Sequence, residues 1–271
     1  MKFKNIIMLI IVLILVLFSI VILTKNPSHN RDWELGQEKL AKLEIQDSKI
    51  KVINFRDFDW KQNNVAGINY IQKNFDLDKI MGVDVAISHF SEFEGMAHIF
   101  IIFRFEDNQN MVISVETRRE KGESFSPILG VLREFEIIYV VGSERDIVGL
   151  RTDLRKERMH IYPMTSSAKE ARELFLLIAK DINNVYDEPI FYNTLFNNCT
   201  NVITRRMGDV FDIKFPFTYK IILPGLMHEV FYKLKLIPVD KSLAEIKNYY
   251  LIDNNKVNKN SVDYSSQIRK H

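Results

Sequence analysis

The single cysteine of the chain, Cys199, stands at a position with the features of a helix start. Asn197 and Asn198 come directly before it, and asparagine is a preferred helix-capping residue. A thiol in the first turn of a helix lies near free backbone N–H groups and the positive end of the helix dipole. Both features lower its pKa and can bind an oxyanion. The pattern indicates a nucleophilic cysteine; the alternative is a small buried hydrophobe, the usual role of a free cysteine.

A thiol nucleophile needs a group that accepts its proton, and that group is usually histidine. We predict that His98 has this role, because it directly precedes the strongly apolar run 99–103. A polar side chain in such a strand indicates a specific structural or functional role. The alternative is a core histidine held by ordinary hydrogen bonds. The other five histidines are weaker candidates by position: His29, His89, His160, His228 and His271.

The group that orients the histidine should come from the neighbouring strand. Residues 107–110 have turn composition, so residues 111–117 are expected to return antiparallel beside the His98 strand. This arrangement brings Glu116 opposite the first residues of that strand, and we predict that it orients the imidazole. The alternative is a surface ion pair within the charged run 116–121.

Three polar residues near the cysteine are candidates for support of the thiol or of an oxyanion. They are Tyr192, Asn193 and Asn198. Their alternative role is simple capping of the helix that follows.

Hydrophobic periodicity predicts the elements that must hold these side chains. An alternating pattern predicts a strand over residues 51–55, and short apolar runs predict strands over residues 83–87, 97–105, 111–117, 137–141 and 159–162. Helical spacing predicts helices over residues 65–75 and 168–186, with Ser166 or Ser167 as cap of the second. Strands flanked by helices without strict alternation indicate an α+β fold with a central antiparallel sheet.

The N-terminal segment predicts a membrane anchor. Residues 1–4 carry two lysines, and residues 5–24 carry no charge. About 20 helical residues span about 30 Å, the thickness of a hydrocarbon core. A small-x-small cleavage site is missing, which favours an uncleaved signal anchor in the bilayer. The slight excess of positive charge before the span predicts a cytoplasmic residue 1–4 segment and an extracytoplasmic, periplasmic-side domain.

The remaining composition divides the chain and excludes some functions. We predict a polar stalk over residues 25–48, a domain over 49–250 and a disordered polar tail over 251–271. A formal net charge of +2 without a basic stripe argues against nucleic-acid binding. One cysteine cannot form an internal disulfide or a thiolate metal cluster, and neither a metal nor a cofactor is predicted.

Several stretches, in order, resemble the Lnb N-terminal periplasmic domain family over roughly residues 50–240. They are residues 97–100, 114–123, 136–141, 143–146, 150–152 and 191–200. The resemblance implies a circularly permuted papain-like (NlpC/P60-type) fold, in which the histidine strand precedes the cysteine helix. It also implies lipoprotein N-acyltransferase activity: Cys199 would take an acyl group as a thioester and pass it to an N-terminal amine. The family's enzymes are multi-spanning, whereas this chain has one predicted span.

The residues and the resemblance together predict a membrane-anchored extracytoplasmic thiol acyltransferase or hydrolase. Its substrate would be a membrane lipid or lipoprotein. The first alternative is a cell-wall peptidase or amidase of NlpC/P60 type, which would have a polar cleft. The second is a non-catalytic membrane-associated binding domain, which a buried and unreactive Cys199 would favour.

Overall fold

The structure is a computed structural model that describes residues 3–61, 64–106 and 108–270. Six residues lie outside these ranges: Met1, Lys2, Gln62, Asn63, Asp107 and His271. The predicted 1–4 segment, the predicted turn at 107–110 and the candidate His271 therefore fall partly or wholly outside the described residues.

The described chain contains eight helices and ten strands in mixed order. The helices are α1 (Phe3–Thr24), α2 (Pro127–Val131), α3 (Glu144–Gly149), α4 (Ala168–Asp187), α5 (Cys199–Phe211), α6 (Met227–Lys233), α7 (Leu243–Tyr249) and α8 (Tyr264–Gln267). The strands are β1 (Lys42–Gln46), β2 (Lys49–Arg56), β3 (Asp59–Lys61), β4 (Asn64–Gly67), β5 (Tyr70–Asp76), β6 (Ile80–His89), β7 (Ala97–Phe105), β8 (Met111–Arg118), β9 (Glu136–Gly142) and β10 (Arg158–Pro163). A π-helical turn, Leu150–Leu154, follows α3 directly.

One large sheet organises the domain, with strand order β1-β2-β9-β8-β7-β6-β10 and β5 also paired to β2. The pairs are antiparallel except β2 with β9, which meet in parallel at Arg56 and Gly142. Strands β3 and β4 form a separate hairpin. This architecture confirms the α+β class with a mainly antiparallel central sheet.

The strongly patterned elements form as predicted. The strand predicted at 97–105 is β7, and the one predicted at 111–117 is β8, one residue longer. Helix α4 begins with a capping box, in which the Ser167 hydroxyl accepts from the Glu170 amide and the Glu170 carboxylate accepts from the Ser167 amide. This double cap fixes the start of α4.

The helix predicted over residues 65–75 is wrong, because this segment forms β4 and β5. Strand β5 pairs antiparallel with β2, so its backbone bonds come from the sheet. Phe75 is buried, whereas Ile68 and Ile71 are 56% and 39% exposed. A helical spacing of apolar residues therefore does not mark a buried helix face here.

The predicted stalk is part of the folded domain. Strand β1 pairs with β2 along five residues. Trp33 is buried, and its indole lies under the guanidinium of Arg118, 4.1 Å from the ring centroid. The Gln37 side-chain amide donates to the Thr117 carbonyl at 3.0 Å. These contacts depend on partners that are distant in sequence, so they could not be predicted from the polar composition of the segment.

The predicted disordered tail is also folded. Ile252, Tyr264 and Ile268 are buried against the sheet. Arg269 forms an ion pair with Asp84 at 2.9 Å and another with Glu144. A few well-spaced apolar residues and buried ion pairs order a segment whose composition is polar.

The sheet carries an apolar layer on each face. One layer packs α4, α5 and α6 against the odd-numbered residues of β7, from Ala97 to Phe105. The other packs α3 and the C-terminal segment against Phe100 and Ile102. Residues that alternate along β7 therefore enter two different environments.

Helix α1 lies outside these layers, and none of its residues is buried. It is the one described helix that is long and apolar enough to cross a membrane. Its 22 residues span about 33 Å.

Candidate thiol site

Helix α5 begins at Cys199, as the sequence predicted. Asn198 is the N-cap, and its Oδ1 accepts from the amides of Thr200 at 2.8 Å and Asn201 at 2.9 Å. The Asn201 side chain in turn accepts from the Asn198 amide at 2.7 Å. This closed capping box holds the thiol at the first helical position.

The thiol of Cys199 lies in an apolar setting. The residue is 7% exposed and belongs to the apolar layer that contains Ile99 and Val202. Burial raises the pKa of the thiol, and hydrogen bonds from the backbone of Ile99 and from Thr200 only partly offset this. The predicted lowering of the pKa is therefore wrong, because burial outweighs the helix N-terminus.

His98 projects from the opposite face of β7. Its ring stacks on Phe100 at 5.8 Å, two residues along the strand. Burial and, next, the nearby Arg151 lower its pKa to about 3, although Glu116 acts in the opposite direction. The imidazole is therefore neutral at neutral pH and has a free lone pair.

A relay of hydrogen bonds orients the His98 ring. Its Nε2 lies 2.7 Å from the Ser114 hydroxyl, which donates to Glu116 Oε1 at 2.8 Å. Because the serine proton goes to the carboxylate, the serine oxygen accepts from His98 Nε2–H. This assignment leaves Nδ1 as the basic nitrogen. Glu116 thus acts on His98 through Ser114, since its Oε1 is 3.9 Å from Nε2.

Glu116 is held as a carboxylate by a buried guanidinium. Arg151 Nη2 lies 3.1 Å from Glu116 Oε1, and the same guanidinium stacks over the Phe100 ring at 4.9 Å. Burial alone would raise the pKa of Glu116, but Arg151, with His98 and Arg56, brings it well below its ordinary value. The relay therefore ends on a fixed negative charge.

The thiol and the imidazole lie on opposite faces of β7 and both line the cavity near the place where β7 and β8 stop pairing. Pairing between β7 and β8 ends at Ile101 and Ile113, although both strands continue past these residues. Helix α5 packs against β7 and β8. Among the described residues, no hydrogen bond joins His98 to Cys199; the Cys199 Sγ lies 4.0 Å from Thr200 Oγ1, and His98 Nε2 lies 2.7 Å from the Ser114 hydroxyl. A direct contact between the Cys199 thiol and the His98 imidazole stays a prediction.

One cavity of about 650 Å³ contains most of the predicted site residues in its wall. They are His98, Glu116, Tyr192, Asn198 and Cys199. A second part of the wall is apolar and consists of Phe90, Met96, Ile221, Ile222, Leu223 and Pro224. A third part is charged and consists of Arg119, Arg151, Arg155 and Glu157, together with Glu116. The cavity therefore accepts a molecule with both an apolar and a polar portion.

The three predicted support residues differ in position. Tyr192 lies beside the thiol: burial raises its pKa, and a negative charge on Cys199 raises it further. The side-chain amide of Asn198 already has a partner, since its Nδ2 donates to the Thr194 carbonyl at 2.7 Å. Asn193 stabilises a turn, accepting from the amides of Leu195 at 2.9 Å and Phe196 at 3.1 Å, and it does not line the cavity. Of the three, Tyr192 is therefore the residue whose pKa depends on the charge of Cys199.

The sequence analysis did not identify Ser114 or Arg151 as site residues. Ser114 had a signal, because it precedes Glu116 by two positions and so shares its face of β8. Arg151 lay in the 150–152 stretch of the family resemblance, but nothing in the local pattern linked it to Glu116, which it reaches from the π-helical turn, 35 positions away.

Three other histidines gather away from the thiol, at the β6–β10 edge. The rings of His89 and His160 are 5.4 Å apart, and Tyr162 stacks between His160 and His228. Burial lowers the pKa of His89 to about 4 and that of His160 to about 3. Within the described ranges, groups of three or more His, Cys, Asp or Glu with metal-binding geometry are not found.

Comparison with known proteins gives one match. The family model of the Lnb N-terminal periplasmic domain matches residues 68–225, which include His98, Glu116 and Cys199. Neither the curated proteins nor the solved structures gave a match. A periplasmic domain behind one apolar helix fits a single-pass membrane protein with an extracytoplasmic domain. Because the match covers more than half of the chain, this protein belongs to the Lnb N-terminal periplasmic domain family.

Proposed function

We propose that this protein is a membrane-anchored, extracytoplasmic thiol enzyme that moves acyl groups through an acyl-Cys199 intermediate. One observation carries the proposal: the thiol at the start of α5 and the oriented imidazole of His98 line the same cavity. A nucleophile, a neutral base and a group that orients the base are the parts that covalent acyl transfer needs.

In the first half of the reaction, Cys199 Sγ attacks the acyl carbonyl carbon of an ester while His98 Nδ1 accepts the thiol proton. The carbonyl π bond opens to an oxyanion. When the oxyanion collapses, the ester C–O bond breaks, and His98 returns the proton to the leaving alcohol. Cys199 then carries the acyl group as a thioester.

In the second half, an amine or a water molecule attacks the thioester. The attacking group passes a proton to His98, the C–S bond breaks, and the proton returns to the sulfur. The products are an amide when an amine accepts the acyl group and a fatty acid when water does. The enzyme is unchanged in both cases.

The pKa directions support proton transfer during the attack rather than a resting ion pair. Burial raises the pKa of Cys199 and lowers that of His98, so both are neutral before the substrate binds. The thiolate then exists only while an electrophile accepts its charge. The backbone amides of Thr200 and Asn201 already donate to Asn198, so the Cys199 amide and the Tyr192 hydroxyl are the donors that we assign to the developing oxyanion.

The two parts of the cavity wall indicate the class of substrate. The apolar part, which includes Phe90 and Ile222, suits an acyl chain, and the charged part, which includes Arg155, suits a polar head. Membrane lipids and lipoproteins combine these two features. Single-pass anchoring with the N-terminus in the cytoplasm would present the cavity to such substrates.

Two observations favour other candidates. The charged wall suits a cell-wall peptide, the substrate of an amidase or peptidase. The buried thiol with its raised pKa suits a non-catalytic domain that binds a membrane partner. Activity on soluble peptides without lipid would favour the first, and full persistence of function in Cys199→Ala would favour the second.

The test uses the full chain in vesicles that contain a phospholipid with a fluorescent acyl chain and a lipid-modified peptide with a free N-terminal amine. Fluorescent peptide reports transfer, and fluorescent fatty acid reports hydrolysis. We expect Cys199→Ala and His98→Gln to lose both products. His160→Phe is the matched control, because it alters a buried histidine that does not line the cavity. Wild-type product formation by Cys199→Ala would exclude the proposal.

A further inference from the structure

We propose that an exposed apolar surface beside the cavity inserts into the same bilayer that holds α1. This surface, the rim patch, consists of Ile128, Leu129, Leu195 and Phe196. The inference rests on the proposed placement of α1 in a membrane, and it does not depend on the thiol chemistry.

The rim patch exposes four large apolar side chains to solvent. Phe196 is 74% exposed and Ile128 is 72% exposed. Leu195 and Leu129 are 40% and 38% exposed. A contiguous group of large apolar side chains on a folded surface marks an interaction site.

Two segments are locked together to form this surface. Helix α2 starts at Pro127 with Ser126 as its cap. The Thr194 hydroxyl donates to the Pro127 carbonyl at 2.7 Å, which ties the loop that carries Phe196 to α2. A Cβ at Gly130 would lie 2.4 Å from the Thr194 hydroxyl oxygen, so the close packing of the two segments requires glycine there. The rim patch is therefore held in place by the packing of α2 against the loop that carries Phe196.

The contacts of α1 place the rim patch at the membrane surface. Arg133 Nη1 donates to the Ile22 carbonyl at 3.3 Å, in the last turn of α1. Lys25 forms an ion pair with Glu134, and the Ser28 amide donates to Glu136 at 2.9 Å. If α1 spans the bilayer, its last turn lies near the headgroups, and so does Arg133. Helix α2 ends only two residues before Arg133.

The surroundings of the patch fit a lipid surface. Arg133 provides a cation at the level where headgroups lie, Lys25 lies there in an ion pair with Glu134, and the rim patch provides apolar side chains beside them. Such a combination is typical of protein segments that lie in the membrane interface. The short tether between α1 and the domain also keeps this face against the bilayer.

Insertion of the rim patch would connect the bilayer with the cavity. Pro127 and Thr194, which carry the two segments of the patch, also line the cavity. An acyl chain would then pass from the membrane into the site without crossing bulk water. The patch residues Ile128 and Phe196 do not line the cavity, so they can be changed separately from the site.

The test measures membrane depth by spin labels on the full chain in phospholipid vesicles. A Cys199→Ala background leaves no other cysteine, so single substitutions give site-specific labels. The labelled variants are Ile128→Cys and Phe196→Cys. The matched control is Val262→Cys, an apolar position that is fully exposed, near Ser265 and Asn110 at the other end of β8. Leu13→Cys, in the middle of α1, reports on the anchor.

We expect the labels at 128 and 196 to be accessible to oxygen and protected from a water-soluble nickel chelate, and the label at 262 to show the reverse. Equal nickel accessibility at 128, 196 and 262, with a deep label at 13, would overturn membrane docking and leave the anchor in place. A water-exposed label at 13 would overturn both. Labels at 128 and 196 that are immobile and protected from oxygen would show a second copy on the patch and would also overturn the inference.

Discussion

The two sides of β7 provide opposite environments for the two halves of the candidate site. On the side of Ile99, Cys199 is surrounded by the apolar layer of α4 and α5, and its pKa is raised. On the other side, His98 belongs to a chain of polar groups that runs through Ser114 and Glu116 to Arg151. Burial keeps the thiol protonated, and hydrogen bonds keep the imidazole oriented.

This difference teaches that the helix N-terminus alone does not activate the thiol. The proposed reaction requires that the thiol and the imidazole meet where β7 and β8 stop pairing, beyond the last pair at Ile101 and Ile113. A substrate in the cavity can complete that meeting, because its carbonyl accepts the charge that the apolar side disfavours. The following experiments test the role of the Cys199 side of β7 and the role of the His98 side separately.

Removal of the thiol should have the largest effect. Cys199→Ser replaces sulfur by a much weaker nucleophile at the same position, and we expect acyl transfer to fall by about 10³-fold or more. The fluorescent-phospholipid reaction measures it. A fall in the transfer rate of less than tenfold would mean that Cys199 is not the nucleophile.

Interruption of the relay should have the next largest effect. Ser114→Ala removes the acceptor of His98 Nε2–H and frees the ring to turn, so we expect kcat to fall by about 10²-fold. KM should change little, since the serine does not line the cavity. Ser114→Thr keeps the hydroxyl and is expected to restore most of the rate. If the alanine and threonine variants lose equal activity, the relay is only structural.

Thiol alkylation tests the apolar side directly. Because the pKa of Cys199 is raised, the rate of reaction with iodoacetamide should increase with pH up to and beyond 9. We expect His98→Gln to leave this profile almost unchanged, since the resting thiol is not an ion pair with the imidazole. A plateau of the wild-type rate below pH 7 would reveal such a pair and contradict the comparison.

Acid should destabilise the fold through its buried histidines. Folded His160 binds a proton only near pH 3, whereas the unfolded side chain binds one near its ordinary value of 6.5. The unfolded chain takes up protons first as the pH falls, so the free energy of unfolding decreases from about pH 6.5 downward. His160→Phe should show a smaller drop in Tm between pH 7.5 and pH 5 than the wild type. Equal drops would mean that His160 is not neutral in the fold.

Disruption of the rim patch should have the smallest catalytic effect. Ile128→Asp combined with Phe196→Asp should reduce transfer from vesicle phospholipid by about threefold to tenfold, through the loss of membrane contact. Hydrolysis of a soluble short-chain ester should stay at the wild-type rate, because neither residue lines the cavity. Equal losses on both substrates would indicate damage to the site itself.

The parts of the molecule with strong local signals could be predicted from the sequence. The apolar runs of β7 and β8, separated by a turn, predicted the position of both strands, and two asparagines before Cys199 indicated the start of α5. The antiparallel return of β8 also brought Glu116 near His98, although it acts through Ser114 rather than by direct contact.

The parts that depend on distant partners could not be predicted. Strand β5 owes its form to pairing with β2, and β1 owes its place to the same strand. Arg151 reaches Glu116 only after α3 and the π-helical turn are folded against the sheet. The direction of the Cys199 pKa also depends on packing, because local sequence gives the helix start but not the burial.

The most direct test of the proposed chemistry is mass spectrometry of Cys199 after the full chain has been incubated with phospholipid vesicles and then unfolded in acid. We expect the peptide that contains Cys199 to gain the mass of one acyl chain, in a form that hydroxylamine removes, and the His98→Gln variant to lack it. An unmodified Cys199 under conditions in which acyl product accumulates would contradict the acyl-enzyme mechanism.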